Sequence, residues 1–227
     1  MSRKPLGVIL AAAGSSLRFG EEKQTLLLRG LPVFLHSVRT FLALADEMVI
    51  AVPSGRIPHY QSLAEHFSIN QQQLLWIEGG ATRSETVRRS LAALTLRDGM
   101  VAVHDAARPL ATETLLRSLL DLADEKDGAV PVTPVRDTLL TADEQRCMTG
   151  VLDRAHCWCA GTPQVFPLAE LRDAYTRLGE ENLTDDTQVY RKAGGIVRIL
   201  PWEENNLKLT YPDDMRFAEE ELARRGE

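Results

Sequence analysis

Apolar positions along this chain keep two rhythms. Short unbroken runs rich in Val, Ile and Leu occupy residues 7–11, 47–52, 74–77 and 100–103, the pattern of strands buried on both faces. Between them apolar residues recur at helical spacing. Over 33–44, Leu35, Val38, Phe41 and Leu42 share one face, and 56–67 and 82–94 follow the same rule. A helix over 112–125 and a strand over 129–133 continue the alternation, which predicts an α/β protein with a mostly parallel sheet and helices on both faces. The rhythm breaks over 136–159, which is polar and mixed and reads as an excursion from the sheet, a hairpin arm. It resumes with helices over 168–178 and 185–193, a strand over 196–200 and a closing helix from Pro212, for which Thr210 and Asp213 supply an N-terminal cap. No repeat or linker interrupts 1–227, so the expectation is one domain with an inserted arm.

Composition narrows the function classes. The 227 residues carry a net charge of −6, which argues against a general nucleic-acid binder but not against a small anionic ligand met by a local cluster of cations. No segment has the length and purity to span a membrane. The N-terminal apolar run is short and leads straight into a charged loop, so it reads as a first strand rather than a signal peptide. Cys147, Cys157 and Cys159 fit neither a disulfide framework nor a four-ligand zinc site, and are expected to be reduced thiols in a cytoplasmic protein.

In open α/β sheets ligands sit beyond the carboxyl ends of the strands. The loop after the first strand reads GVILAAAGSSLRFGEEKQ over 7–24. Its small residues would let backbone N–H groups approach an anion, and Arg18 and Lys23 add two cations. The spacing matches neither the P-loop nor the three-glycine dinucleotide fingerprint, so a plain strand-to-helix turn with two solvated charges stays open beside phosphate binding. VHDAARP over 103–109 places Asp105 and Arg108 at a strand end, as a ligand-facing pair or a local ion pair; His104 reads as structural. GGATRSETV over 79–87 could hold an anion or a base edge, or be ordinary helix capping. Lys208, in the strand-like run NNLKLT, needs an anionic partner. No metal-ligand cluster stands out: Asp185 and Asp186 read first as a helix start, and neither a G-x-S-x-G elbow nor a cysteine with a plausible histidine base is present.

Together AAGSSLRFG, KQ, GGATRSETV, VHDAARP, VRDT, TPQVF, LTDD and NNLKLTYPDD, in that order over nearly the whole chain, resemble the 2-C-methyl-D-erythritol 4-phosphate cytidylyltransferase family of the non-mevalonate isoprenoid pathway. The resemblance implies a Rossmann-like fold whose arm over about 136–159 makes a homodimer. It implies transfer of CMP from CTP to methylerythritol phosphate with release of pyrophosphate, using Mg²⁺ bound through the CTP phosphates, with no nucleic acid or membrane involved. Carried over by position, it assigns the triphosphate cradle to Ala12, Ala13, Gly14 and Ser16, and transition-state charge to Arg18 and Lys23. Gly80 and Thr86 fall to the cytosine, while Asp105, Ala106 and Arg108 form the strand end near nucleotide and substrate. Thr138 and Arg154 fall to the arm that meets the partner's substrate, and Thr162 and Lys208 complete the site, with Arg154 and Lys208 holding the incoming phosphate.

Departures from the family pattern concentrate in the first loop. Ser16 stands where glycine is usual, and Glu22 stands where proline precedes the lysine, so Glu22 is expected to leave the loop unstiffened and to draw Lys23 away. The loop between Arg18 and Lys23 is also short, Thr86 replaces a usual serine, and DDTQ over 185–188 matches only in part. Two other readings are a ribitol 5-phosphate cytidylyltransferase, separable by turnover of the two polyol phosphates, and a non-catalytic nucleotide-binding protein, which would be expected to lack Arg18, Lys23 or Lys208. A nucleotide-dependent oxidoreductase lacks its glycine fingerprint here.

Overall fold

The computed structural model describes residues 3–14, 19–20, 22–179 and 183–226. Its elements run β1 (Leu6–Ala11), β2 (Leu27–Leu28), β3 (Leu31–Pro32), α1 (Val33–Leu42), β4 (Glu47–Val52), α2 (Ile57–His66), β5 (Leu74–Glu78), α3 (Arg83–Ala93), β6 (Met100–Asp105) and α4 (Glu113–Leu122). There follow β7 (Asp127–Pro134), β8 (Leu139–Ala142), β9 (Met148–Leu152), β10 (Trp158–Ala160), β11 (Gln164–Pro167), α5 (Leu168–Leu178), α6 (Asp186–Lys192), β12 (Ile196–Pro201) and α7 (Asp213–Arg225).

Strand β1 lies at the centre of the sheet. It pairs in parallel with β4 on one side and β6 on the other, β5 extends the β4 side, and β12 runs parallel to β7. The chain winds outward from β1 through β4 to β5, then returns by α3 to β6 beside β1. That reversal makes a crevice at the carboxyl ends of β1 and β6. Strand β1 is apolar on both sides because both faces are covered: Val8 and Leu10 pack with α1, α2 and α4, whereas Ile9 packs with α3, α5 and α6.

The expected α/β architecture holds, with several corrections. Sequence reading left 160–167 unassigned, yet β11 lies between β6 and β7 antiparallel to both, and β10 pairs antiparallel with β7. Helix α4 stops three residues earlier than expected: Ala123 is extended, and the Asp124 carboxylate accepts the N–H groups of Lys126 (2.8 Å) and Asp127 (2.9 Å) in a turn of its own. Residues 205–210 are irregular rather than strand-like. Thr210 does not cap α7; the Asp214 carboxylate reaches back to accept the N–H groups of Thr210 (2.6 Å) and Tyr211 (2.7 Å). The arm contains a hairpin, β8 against β9, whose strands pair only with each other. Among the described residues no helix is long and apolar enough to cross a membrane.

Candidate functional site

The crevice at β1 and β6 opens into a cleft of about 470 Å³. Ala11, Ala13 and Gly14 line it from the end of β1, Asp105 and Ala107 from the end of β6, and Gly80 to Arg83 from the loop that opens α3. Lys23 and Lys208 enter from opposite ends of the sequence.

The small residues that follow β1 and β6 have different tasks. Ala12 is fully buried and its N–H donates to the Ala51 carbonyl (2.8 Å), so it fastens the loop to β4 and offers no donor to a ligand. Ala106 is likewise buried, with its N–H on the Ala11 carbonyl (3.1 Å); Ala107 lines the cleft in its place. Ala13 packs so closely on Gly79 that a Cβ at position 79 would lie 2.2 Å from the Ala13 Cβ. Glycine is required there, and it brings the α3 loop against the strand end. Ser16 and Arg18 lie outside the described residues.

Helix α3 opens with both a cap and a bent loop. Thr82 accepts the Glu85 N–H (3.1 Å), and the Glu85 carboxylate accepts the Ala81 N–H (2.7 Å), a reciprocal cap. The Gly80 N–H donates to the Thr86 hydroxyl (3.0 Å), which donates to the Thr82 carbonyl (2.9 Å). Thr86 therefore shapes the loop, a task that serine or threonine can perform. Capping and site formation, open alternatives from the sequence, coincide here.

Asp105 is the one carboxylate lining the cleft among the described residues. It pairs with Lys208 Nζ (2.6 Å) and Arg83 Nε (3.2 Å), not with Arg108 as a local pair. Burial alone would raise its pKa, but the Arg83 and Lys208 charges outweigh burial and hold the carboxyl far below the usual range. The partner that Lys208 needs is thus present. Arg83, which the sequence reading passed over, also meets the fully buried Asp186 (2.7 Å), whose other oxygen accepts the Tyr175 hydroxyl (2.5 Å). A usable signal existed: a cation in the first turn of a helix opposes the macrodipole and calls for an anionic partner.

Behind Asp105 stands a relay of neutral groups. The Asp105 N–H donates to the Thr162 hydroxyl (3.0 Å), Thr162 lies 3.1 Å from His104 Nδ1, and His104 Nε2 faces the Ser37 hydroxyl (3.1 Å) and the Arg108 carbonyl (3.2 Å). Burial pushes His104 down to about 4 despite the Asp105 charge, so at neutral pH it is an uncharged structural imidazole. Thr162 is buried and reaches the site only through these bonds. Arg108 donates to the Asn206 carbonyl (2.7 Å), and Asn206 Nδ2 donates to the Thr162 carbonyl (2.8 Å), which fastens 205–210 over the strand ends.

Lys23 is buried beside the cleft, with Nζ donating to the Leu209 carbonyl (2.6 Å) and the Phe19 ring centroid 5.9 Å away. Glu22 does not draw it away. Its carboxylate accepts from Arg56 Nη2 (2.7 Å) and the Tyr60 hydroxyl (2.8 Å) on the opposite side. Thr138 and Arg154 are exposed on the arm and do not line the cleft; Arg154 Nη1 donates to the Arg136 carbonyl (2.6 Å). Asp185 caps α6 through the Thr187 N–H (2.8 Å) and accepts from Gln164 (2.7 Å). Among the described residues no group of three or more His, Cys, Asp or Glu side chains could hold a metal ion.

The arrangement offers three cationic side chains, Lys23, Arg83 and Lys208, with a hydrogen-bonding loop and a held carboxylate around a space for anions. Residues 6–224 match the family model described as 2-C-methyl-D-erythritol 4-phosphate cytidylyltransferase. A protein of that name from Symbiobacterium thermophilum is 37% identical over 95% of this chain and 92% of its own length. Another, from Haemophilus influenzae, is 34% identical over 99% of both chains. The crystal structure of the Thermus thermophilus 2-C-methyl-D-erythritol 4-phosphate cytidylyltransferase is similar with a TM-score of 0.78 and 32% identity, covering 98% of this chain and all of that one.

Proposed function

Since the chain belongs to the 2-C-methyl-D-erythritol 4-phosphate cytidylyltransferase family, we propose that the cleft at β1 and β6 is where it transfers a cytidylyl group from CTP to 2-C-methyl-D-erythritol 4-phosphate. Convergence carries this reading: Lys23 and Lys208, from opposite ends of the chain, line one cleft with Ala13, Gly14 and Gly80.

The reaction joins two anions, so it demands charge and alignment rather than proton transfer. A phosphate monoester has its second pKa near about 6, so its oxygen is ionised at neutral pH. That oxygen attacks the α-phosphorus of CTP; a new P–O bond forms, the bond from the α-phosphorus to the bridging oxygen breaks, and pyrophosphate leaves with the electron pair. No side chain has to take a proton, which suits a site whose histidine is buried and neutral.

Lys23 serves the triphosphate, with Ala13 and Gly14 as its backbone cradle and Ala12 holding that cradle to β4; the sequence resemblance assigns Arg18 and Ser16 to the same task. Gly80 and Thr86 shape the loop that receives the base. Lys208 acts on the polyol phosphate, and Asp105, aligned through Thr162, holds Lys208 until that phosphate arrives; Arg108, which does not line the cleft, supports the site by fastening 205–210 through Asn206. Mg²⁺, when bound, offsets charge on the triphosphate. The one cleft carboxylate among the described residues is already taken by Arg83 and Lys208, so the ion would be held through the nucleotide phosphates rather than a protein cage.

Thr138 and Arg154 join the site from the arm of a second copy. The described arm exposes Leu140, Met148, Val151 and Leu152 on strands that pair with nothing else, which favours a homodimer built through 136–159 around a single 1–227 domain. Three free cysteines, two of them on the exposed surface, favour the reducing cytoplasm.

Pyrophosphate release with CTP and Mg²⁺ tests the reading. Turnover is expected with methylerythritol 4-phosphate and not with ribitol 5-phosphate, and Lys23→Ala is expected to lower kcat by about 100-fold or more. Turnover with ribitol 5-phosphate alone would give the same cleft a different acceptor, and an unchanged kcat in Lys23→Ala would remove that lysine from the chemistry.

A further inference from the structure

We infer that Glu22, gripped by Arg56 and Tyr60, is a positioning residue that aims Lys23 into the cleft. The inference rests on the assignment of Lys23 to the triphosphate. Glu22 is the last residue before the short 3-10 turn Lys23–Thr25. Its carbonyl accepts the Thr25 N–H (3.1 Å) and hydroxyl (3.0 Å), so its backbone begins the turn that carries the lysine.

Its side chain is held at both oxygens, by Arg56 Nη2 at 2.7 Å and by the Tyr60 hydroxyl at 2.8 Å. Both anchors are firm. Tyr60 is fully buried and packs on Phe34 of α1 with ring centroids 4.9 Å apart. Burial and the adjoining carboxylate push its hydroxyl up, so it remains a donor at any working pH. Arg56 follows a turn whose Ser54 hydroxyl and Gly55 N–H both donate to Glu78 at 2.7 Å, at the end of β5. The clamp therefore ties the residue before Lys23 to α2 and, through that turn, to the sheet.

The consequence is entropic. Lys23 needs its ammonium at one point near the transferring phosphoryl group, and a lysine on a free loop would have to order both backbone and side chain on each turnover. A fixed starting point removes the backbone share. Glu22 sits at φ −74°, close to the angle a proline ring imposes, so proline can supply the same restraint without an ion pair.

Steady-state kinetics on Glu22→Ala, Arg56→Ala, their double variant, Glu22→Pro and Lys23→Ala test the clamp. Glu22→Ala is expected to lower kcat by about three- to tenfold, with the KM for methylerythritol phosphate changed by less than about twofold. The double variant is expected to be no slower than Glu22→Ala, because both changes break one restraint. Glu22→Pro, compared at equal thermal stability, is expected to recover most of the rate. Wild-type kcat in Glu22→Ala alongside an inactive Lys23→Ala would overturn the clamp while leaving the lysine's role intact, and multiplied losses in the double variant would also overturn it. An active Lys23→Ala would instead overturn the assignment on which the clamp rests.

Discussion

His104 shows how one residue can be mistaken for chemistry and still leave a measurable trace. An imidazole in the unfolded chain titrates near about 6.5, whereas burial holds His104 at about 4 in the fold. Between those values the unfolded state binds more protons. Stability therefore rises with pH across that window and falls as pH drops from about 6.5 to about 4, by up to about 3 kcal/mol. The neighbouring Asp105 acts elsewhere on the scale: its depressed pKa adds stability that is complete above the ordinary carboxylate range and is lost only in stronger acid. Urea unfolding at several pH values should show a steeper dependence between pH 4 and 6.5 in the wild type than in His104→Gln, and parallel curves would contradict it. Residues of this kind were partly legible. Local sequence context sufficed to expect His104 to be structural and Lys208, in its apolar run, to need an anion. What could not be read was which carboxylate would serve, because Asp105 meets Arg83 and Lys208 only after α3 and the segment 205–210 converge on β6.

At the scale of elements, the α3 loop and the end of β1 meet where only glycine leaves room. A side chain at position 79 would drive its Cβ into Ala13, so Gly79→Ala must push the α3 loop away from β1. The expected cost is about 1–3 kcal/mol of stability, together with a rise in the KM for CTP larger than any change in KM for the polyol phosphate. Thermal unfolding and steady-state kinetics would check both, and equal changes in the two KM values would count against a nucleotide-specific loop. Strands β1, β4, β5 and β6 were legible because unbroken Val, Ile and Leu runs are what a doubly covered parallel sheet requires. Strand β11 was not, since Gln164–Pro167 is short, bounded by prolines and defined by its antiparallel fit between β6 and β7 rather than by any local pattern. The Glu22 clamp escaped for the same reason: an acidic residue beside Lys23 looks like a competitor until α2 is seen to hold it on the far side.

For the whole molecule the decisive question is whether each site is built from one chain or two. Lys23, Asp105 and Lys208 meet within a single chain, but Thr138 and Arg154 sit on an arm that does not line its own cleft, beside exposed Leu140, Met148, Val151 and Leu152. If a second copy supplies the arm, the symmetry of a twofold dimer makes two equivalent composite sites. Lys23→Ala and Arg154→Ala should then each be nearly inactive alone. When subunits of the two variants are mixed and allowed to exchange, one site of each mixed dimer carries both defects and the other carries neither. Random pairing puts half the dimers in that mixed class, so the activity should recover to about a quarter of wild type per subunit. Light scattering should show the dimer at the same concentration. Failure to recover, in a mixture shown by mass spectrometry to have exchanged, would place both residues in the service of one chain. The arm would then have to fold back onto the cleft from its own subunit, and its apolar strands would need another cover.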